Sequence, residues 1–169
     1  MNSHVPLPRA PPDCLPLQAL EVRRKVKGDR DPCTLISLNN LGLLLSELGR
    51  HNEAMPLLEE ALEARRDAQG PNHPETLTAM NNFGALLKAM GRYENALPLY
   101  AEALETRRAV LGDTHPDTLA SINNLASLLQ ALGKHRIAET LLEEVHPRLR
   151  SEYDLCAICV RSECDLCAI

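Results

Sequence analysis

Leucine and alanine recur every three or four residues along most of the chain, which is the spacing of one face of an α-helix. One stripe consists of Leu35, Leu38, Leu41, Leu45 and Leu48, and a second of Ala54, Leu57, Leu58, Ala61 and Leu62. Gly49 and Gly70 follow these stripes, where glycine closes a helix without the steric penalty of a Cβ. The pattern predicts two consecutive helices between residues 31 and 70.

This predicted helix pair recurs with a constant period. The block Asp31-Pro-Cys-Thr-Leu35 returns as His73-Pro-Glu-Thr-Leu77 and as His115-Pro-Asp-Thr-Leu119, 42 residues apart each time. Asp31, His73 and His115 stand at the predicted N-caps, and proline follows at the first helical position. A period of this length indicates a stack of similar helix pairs, and such stacks usually present a binding surface.

The repeats divide the chain into three parts. We expect residues 1–14 to be a disordered proline-rich arm, because proline fixes φ and removes a hydrogen-bond donor. A repeat array should cover residues 15–150, with a half repeat at 15–30 and repeats at about 31–72, 73–114 and 115–150. Pro16 is expected at the first position of a helix that ends near Lys27. Residues 151–169 form a cysteine-rich, internally duplicated tail, which we expect to be disordered.

Small residues are placed so that the two helices of a repeat can approach closely. Glycine or alanine occupies one position of each first helix and one of each second helix, namely Gly42, Gly84, Ala126, Ala54, Ala96 and Ala138. Glycine in a helix interior costs about 1 kcal/mol against alanine. Its use at positions 42 and 84 therefore predicts close helix contact there.

Composition narrows the possible functions. Apolar residues make up 44% of the chain but aromatic residues only 2%, so the core must be built from leucine and alanine. The formal net charge of −5 argues against nucleic acid, which calls for a basic surface. No apolar run is long enough to span a membrane, and the N-terminus has no signal-peptide pattern. We expect a soluble, cytoplasmic protein that binds neither nucleic acid nor membrane.

The spacing of large and small residues from position 34 to about 145 resembles the tetratricopeptide repeat. The matching positions in the first repeat are Leu38, Leu41, Gly42, Leu45, Ala54, Leu58 and Ala61, and they recur in the next two. The longer helices and the NNL and GRY segments resemble the kinesin light chain and nephrocystin type. The resemblance implies an all-α, right-handed α-solenoid of antiparallel helix pairs with about three and a half repeats. It also implies a concave groove lined by the first helices.

From this resemblance we expect a non-catalytic scaffold or adaptor that binds a peptide segment of a protein partner in the groove. The candidate peptide-binding residues are Asn39, Asn81, Asn82, Lys88, Asn123 and Asn124. Asparagine is unfavourable inside a helix, so its recurrence needs a reason. One hypothesis is an amide ladder that pairs with the backbone of an extended peptide. In the alternative, one asparagine of each pair bonds the neighbouring helix and holds the stack together.

The other polar clusters lead to weaker hypotheses. Arginines end the second helices, and we expect Arg65, Arg66, Arg107 and Arg108 to lie on a solvated face. No nucleophile–base pair or phosphate loop is recognisable, so we expect neither enzymatic activity nor a cofactor. An alternative function is a zinc or thiol module in the tail, with two C-x-x-C pairs formed by Cys156, Cys159, Cys164 and Cys167. Another is a truncated repeat fragment that self-associates through its C-terminal end.

Overall fold

The computed structural model describes residues 14–143, with side chains from residue 17 onward. Within this range the chain forms seven α-helices and no strand. They are α1 (Cys14–Lys27), α2 (Pro32–Glu47), α3 (His51–Gln69), α4 (Pro74–Ala89), α5 (Tyr93–Leu111), α6 (Pro116–Ala131) and α7 (His135–Glu143). The proposed arm up to residue 13, the end of the third repeat and the cysteine-rich tail lie outside the described residues.

The helix ends follow the local chemistry of the repeats. Asp31 accepts a hydrogen bond from the backbone N–H two residues on (2.9 Å), and Nδ1 of His73 and of His115 does the same (3.2 and 3.1 Å). Proline follows each of these caps, as predicted. At the other end, φ is +74° at Gly49 and +87° at Gly70, a region that favours glycine. Between residues 31 and 133, the 42-residue pattern therefore predicts correctly the N-caps and the glycines that follow the helices.

The first helix begins earlier than predicted. We expected Pro16 at its first position, but α1 already begins at Cys14. The first four N–H groups of a helix have no partner within the helix, so a proline is tolerated throughout the first turn.

The described residues divide into two compact units, one up to Ala96 and the other from Leu97 onward. In the first unit α2 packs against α1, α3 and α4, and α3 also packs against α4. Its core is a cluster of buried leucines and alanines that includes Leu20, Leu35, Leu38, Leu41, Leu45, Ala54, Leu58, Ala61 and Leu86. In the second unit α6 packs against α7 around Ala126, Leu129 and Ala138.

Gly42 of α2 lies in close contact with α3. A Cβ at this position would stand 2.6 Å from Cγ and 2.8 Å from Cδ2 of Leu58, a side chain that is almost completely buried. Ala54, also fully buried, has its carbonyl oxygen 3.6 Å from the same point. The close contact predicted from the small residues is therefore confirmed in the first repeat.

The prediction of a solvated arginine face is wrong for two of the four arginines. Arg65 and Arg107 are each only 5% exposed, whereas Arg66 and Arg108 are half-buried. Burial lowers the pKa of Arg107, and the negative charge of Asp117 opposes this effect. Such burial requires polar partners, because an unpaired buried cation is strongly unfavourable.

Those partners lie on the first helix of the following repeat. Arg65 of α3 forms an ion pair with Glu75 of α4. Within the second unit, Nη1 of Arg107 on α5 donates to the backbone carbonyl oxygen of Asp117 (2.9 Å) and to Oγ of Ser121 (2.8 Å). Each arginine thus ties a second helix to the helix that follows it.

A third arginine has the same role. Arg23 of α1 stands 42 residues before Arg65 and donates to the hydroxyl of Ser37 on α2. Extending the 42-residue period backwards from the two buried arginines would have revealed it. The polar link between consecutive helix pairs therefore recurs with the same 42-residue period.

Gly42→Ala tests the close approach of α2 and α3. Overpacking against Leu58 should cost about 1–3 kcal/mol, and the better helix propensity of alanine should recover about 1 kcal/mol. We expect the free energy of unfolding, measured by chemical denaturation, to fall by about 1 kcal/mol. In a Leu58→Ala background, where the obstructing side chain is gone, the same substitution should instead be neutral or stabilising. Stabilisation in both backgrounds would contradict the predicted contact.

Arg107→Met tests the arginine link. The substitution keeps much of the buried apolar stem but removes the donor to Asp117 and Ser121, and should lower the free energy of unfolding by about 1–3 kcal/mol. Arg30→Met is the control, because Arg30 forms an exposed pair with Asp67 (3.1 Å) whose loss should cost less than about 1 kcal/mol. Equal losses in the two variants would show that burial gives Arg107 no special role.

Candidate functional site

A pocket of about 230 Å³ lies in the first unit, formed by α2 and α4 with one side chain from α3. It is lined by Ile36, Asn39, Asn40, Arg65, Glu75, Thr78 and Ala79. Every lining residue comes from the first two full repeats. The pocket combines two apolar side chains with amide and hydroxyl groups and one ion pair.

The helical period explains why these side chains converge. Leu35, Leu38 and Leu41 of α2 point into the core, so the residues next to them in sequence occupy the adjoining face. Ile36 and Asn39, three residues apart, lie on that face and line the pocket. Ile36 remains 45% exposed, which is unusual for a large aliphatic residue and leaves apolar surface open to a ligand.

Asn39 and Asn82 form a side-chain pair between the two first helices. Nδ2 of Asn82 on α4 donates to Oδ1 of Asn39 on α2 over 3.0 Å, and both residues are half-buried. Asn39 lines the pocket, whereas Asn82 does not. For Asn82 the geometry matches the alternative hypothesis, in which one asparagine of a pair bonds the neighbouring helix.

The remaining asparagines differ in accessibility although they share one motif. Asn81 is only 7% exposed, and Asn124 is half-buried. Asn40 and Asn123 are exposed. Within the first unit, Asn39 and Asn40 are the two asparagines that the pocket brings together.

Two cations of the first unit bear on the candidate site, Lys88 as one of the candidate residues and Arg65 as part of the pocket lining. Lys88 is half-buried, and burial lowers the pKa of its amine. Arg65 closes one side of the pocket, and its buried Nε has no hydrogen-bond partner within residues 14–143. Because Glu75 neutralises Arg65, the pocket carries no net charge from its own lining.

The lining of the pocket offers hydrogen-bonding groups and apolar surface. Among the described residues, no three His, Cys, Asp or Glu side chains are grouped so that they could hold a metal ion. The zinc candidates of the tail lie outside that range: Cys156, Cys159, Cys164 and Cys167. Over the same described residues, no helix combines the length and the apolar character needed to cross a membrane.

Comparison with solved structures gives several neighbours of the same architecture. TPR-like repeats assigned to a kinesin light chain from Podosopora anserina superimpose with a TM-score of 0.73 at 26% identity, covering 81% of this chain and 65% of that one. BtubC (BKLC) from P. vanneervenii superimposes with a TM-score of 0.74 at 22% identity, covering 84% of this chain and 57% of that one. The TPR domain of Arabidopsis FLU superimposes with a TM-score of 0.59 at 21% identity, covering 70% of this chain and 96% of that one. The chain thus spans less than two thirds of the first two proteins.

Sequence comparison leads to the same family. No match was found among curated proteins. The tetratricopeptide repeat profile matches residues 17–67, 56–97 and 75–151, which together span most of the chain. With the helix pairs described above, these matches confirm the predicted all-α solenoid of helix pairs. The chain belongs to the tetratricopeptide repeat family, and its repeats are of the kinesin light chain type.

Proposed function

We propose that this chain binds an extended peptide segment of a protein partner against the first helices of its repeats. Tetratricopeptide arrays generally act as protein-interaction scaffolds without catalytic activity, which supports the class of function. The single observation that carries the finer proposal is the pocket formed by α2 and α4. In this pocket, exposed apolar surface lies beside amide groups, on the first helices where the resemblance implies that a ligand binds.

Amide side chains suit an extended peptide because the peptide backbone presents both N–H and C=O groups. An asparagine can donate and accept at once, so it can pair with a backbone whatever the peptide sequence. The side chain of Asn40 is exposed and makes no hydrogen bond to the described residues, and the side chain of Asn39 shares one bond with Asn82. In this proposal Asn39 and Asn40 contact the peptide directly.

The other candidate residues have different proposed roles. Asn81 is too deeply buried to be a direct contact, so we assign it to holding α4 in place. Lys88 offers an ammonium donor to the peptide backbone. In the second unit, exposed Asn123 is the direct contact and half-buried Asn124 supports it.

Apolar contact should supply affinity beside these hydrogen bonds. Ile36 and Ala79 line the pocket, and a peptide side chain that enters it would cover the exposed part of Ile36. Since the Arg65–Glu75 pair leaves no net charge, the pocket favours an uncharged side chain. The proposed ligand is therefore an extended segment with a neutral residue at this position.

The proposal is tested by selecting peptides from a random library on the full chain and rebinding the winners to variants. We expect Asn39→Leu and Asn40→Leu each to weaken binding by about tenfold or more, since each removes hydrogen bonds to the ligand. Asn52→Leu is the matched control, because Asn52 is an exposed asparagine in the first turn of α3 and does not line the pocket. Circular dichroism should show that all three variants remain folded.

Two results would count against the proposal. If no peptide is enriched on the full chain, peptide binding itself fails. If enriched peptides bind the Asn39→Leu and Asn40→Leu variants as tightly as the control, the pocket is not the site of binding.

A further inference from the structure

We propose that Asn82 is a positioning residue, which orients the amide of Asn39 so that the pocket presents a hydrogen-bond donor. The site would then select a neutral carbonyl oxygen on the ligand. This inference rests on the proposed function, because it concerns the same pocket, but it assigns to Asn82 a role other than direct peptide contact.

The inference begins with the hydrogen bond between the two amides. Asn82 uses an N–H of its Nδ2 to donate to Oδ1 of Asn39 over 3.0 Å. The oxygen of Asn39 is therefore engaged on the side facing Asn82. Because the oxygen and nitrogen of an amide diverge from one carbon, the NH₂ group of Asn39 is directed away from Asn82.

That NH₂ group is available for a ligand. Asn39 lines the pocket, and its nitrogen makes no hydrogen bond to the described residues. An NH₂ group can only donate, so its partner must be an acceptor. Because Arg65 and Glu75 of the lining are already paired with each other, the pocket has no net positive charge to offset the desolvation of a ligand carboxylate. A neutral carbonyl oxygen remains as the preferred partner.

Two parts of a peptide can supply such an oxygen. One is a backbone carbonyl, which every residue has, and the other is the side-chain amide of glutamine or asparagine. The two sources share one acceptor chemistry and are separated by scanning the selected peptide. Replacing single backbone amides by thioamides weakens the first acceptor, whereas replacing glutamine or asparagine by alanine removes the second.

Substitutions at position 82 should have graded effects on affinity. With Asn82→Leu nothing fixes the Asn39 amide, both orientations become about equally populated, and the apparent affinity should fall about twofold. With Asn82→Asp the new carboxylate can only accept, so Asn39 must rotate its NH₂ group towards it and turn its oxygen to the ligand. Binding should then fall about tenfold or more, because a donor is replaced by a second acceptor.

The experiment uses the full chain and an uncharged peptide from the selection described above. Affinity is measured for Asn82→Leu, Asn82→Asp and Asn39→Leu at low and high salt, since a direct effect of the new charge would be screened by salt while an orientation effect would not. Asn39→Asp serves as a second variant. Asn82 can still donate to one oxygen of the new carboxylate, and the other oxygen then faces the ligand in place of the NH₂ group, as the amide oxygen does in Asn82→Asp. Thermal unfolding by circular dichroism checks that every variant is folded.

Side-chain amide signals in ¹H–¹⁵N NMR spectra give a readout that a purely structural role would not change. In the parent chain the NH₂ signals of Asn39 should shift on peptide addition, because they donate to the ligand. In Asn82→Asp the same signals should already be shifted without peptide, and further peptide should have little effect on them.

The possible results separate the two proposals. Loss of binding in Asn39→Leu, together with the graded, salt-independent losses at position 82, supports both. Loss in Asn39→Leu with no difference between Asn82→Leu and Asn82→Asp would overturn the positioning role and leave the peptide-binding proposal standing. Binding that is indifferent to Asn39→Leu, or no selected peptide at all, would overturn both.

Discussion

The close packing of α2 against α3 is the constraint from which the rest of the first unit follows. Gly42 lets Leu58 lie where a Cβ would otherwise stand, and Leu58 and Ala54 are buried as a result. A wider separation would open the leucine core, which has few aromatic residues to fill the space. The interhelical distance therefore depends on the absence of one methyl group.

The second constraint acts between consecutive helix pairs and is polar. Arg65 brings the end of α3 against the start of α4 through Glu75. With α2 already fixed on α3, this link helps to determine where α4 lies relative to α2. The 3.0 Å contact between Asn39 and Asn82 requires that placement, so the geometry of the candidate site depends on both the apolar and the polar contact.

Most of the fold could be predicted from the sequence, because it arises from local chemistry repeated in register. Proline after Asp31 or His73 marks a helix start, and Gly49 or Gly70 marks an end. The arginines show where such reasoning fails. Arg65 and Arg66 are adjacent and chemically identical, and only the position of the next repeat decides that Arg65 is buried. Likewise, the recurring Asn pair predicts which face is polar but not which amide atoms are already bonded.

The pocket itself depends on a departure from the repeat pattern. In the first and third repeats the linking arginine reaches a serine, Ser37 or Ser121, but the equivalent position of the second repeat is Ala79. Alanine has no acceptor to offer Arg65, and at this position it lines the pocket.

Arg65 therefore pairs with Glu75 instead, and its Nε is left without a partner among the described residues. Loss of one hydroxyl thus leaves a small side chain and an incompletely satisfied guanidinium beside Asn39. Repeats of similar sequence can thus differ in the groups they offer to a ligand. The difference arises where one repeat has another residue at a position that bonds to the preceding helix. In this chain that position is residue 79, and the amide pair beside it is accordingly the most promising place to search for ligand specificity.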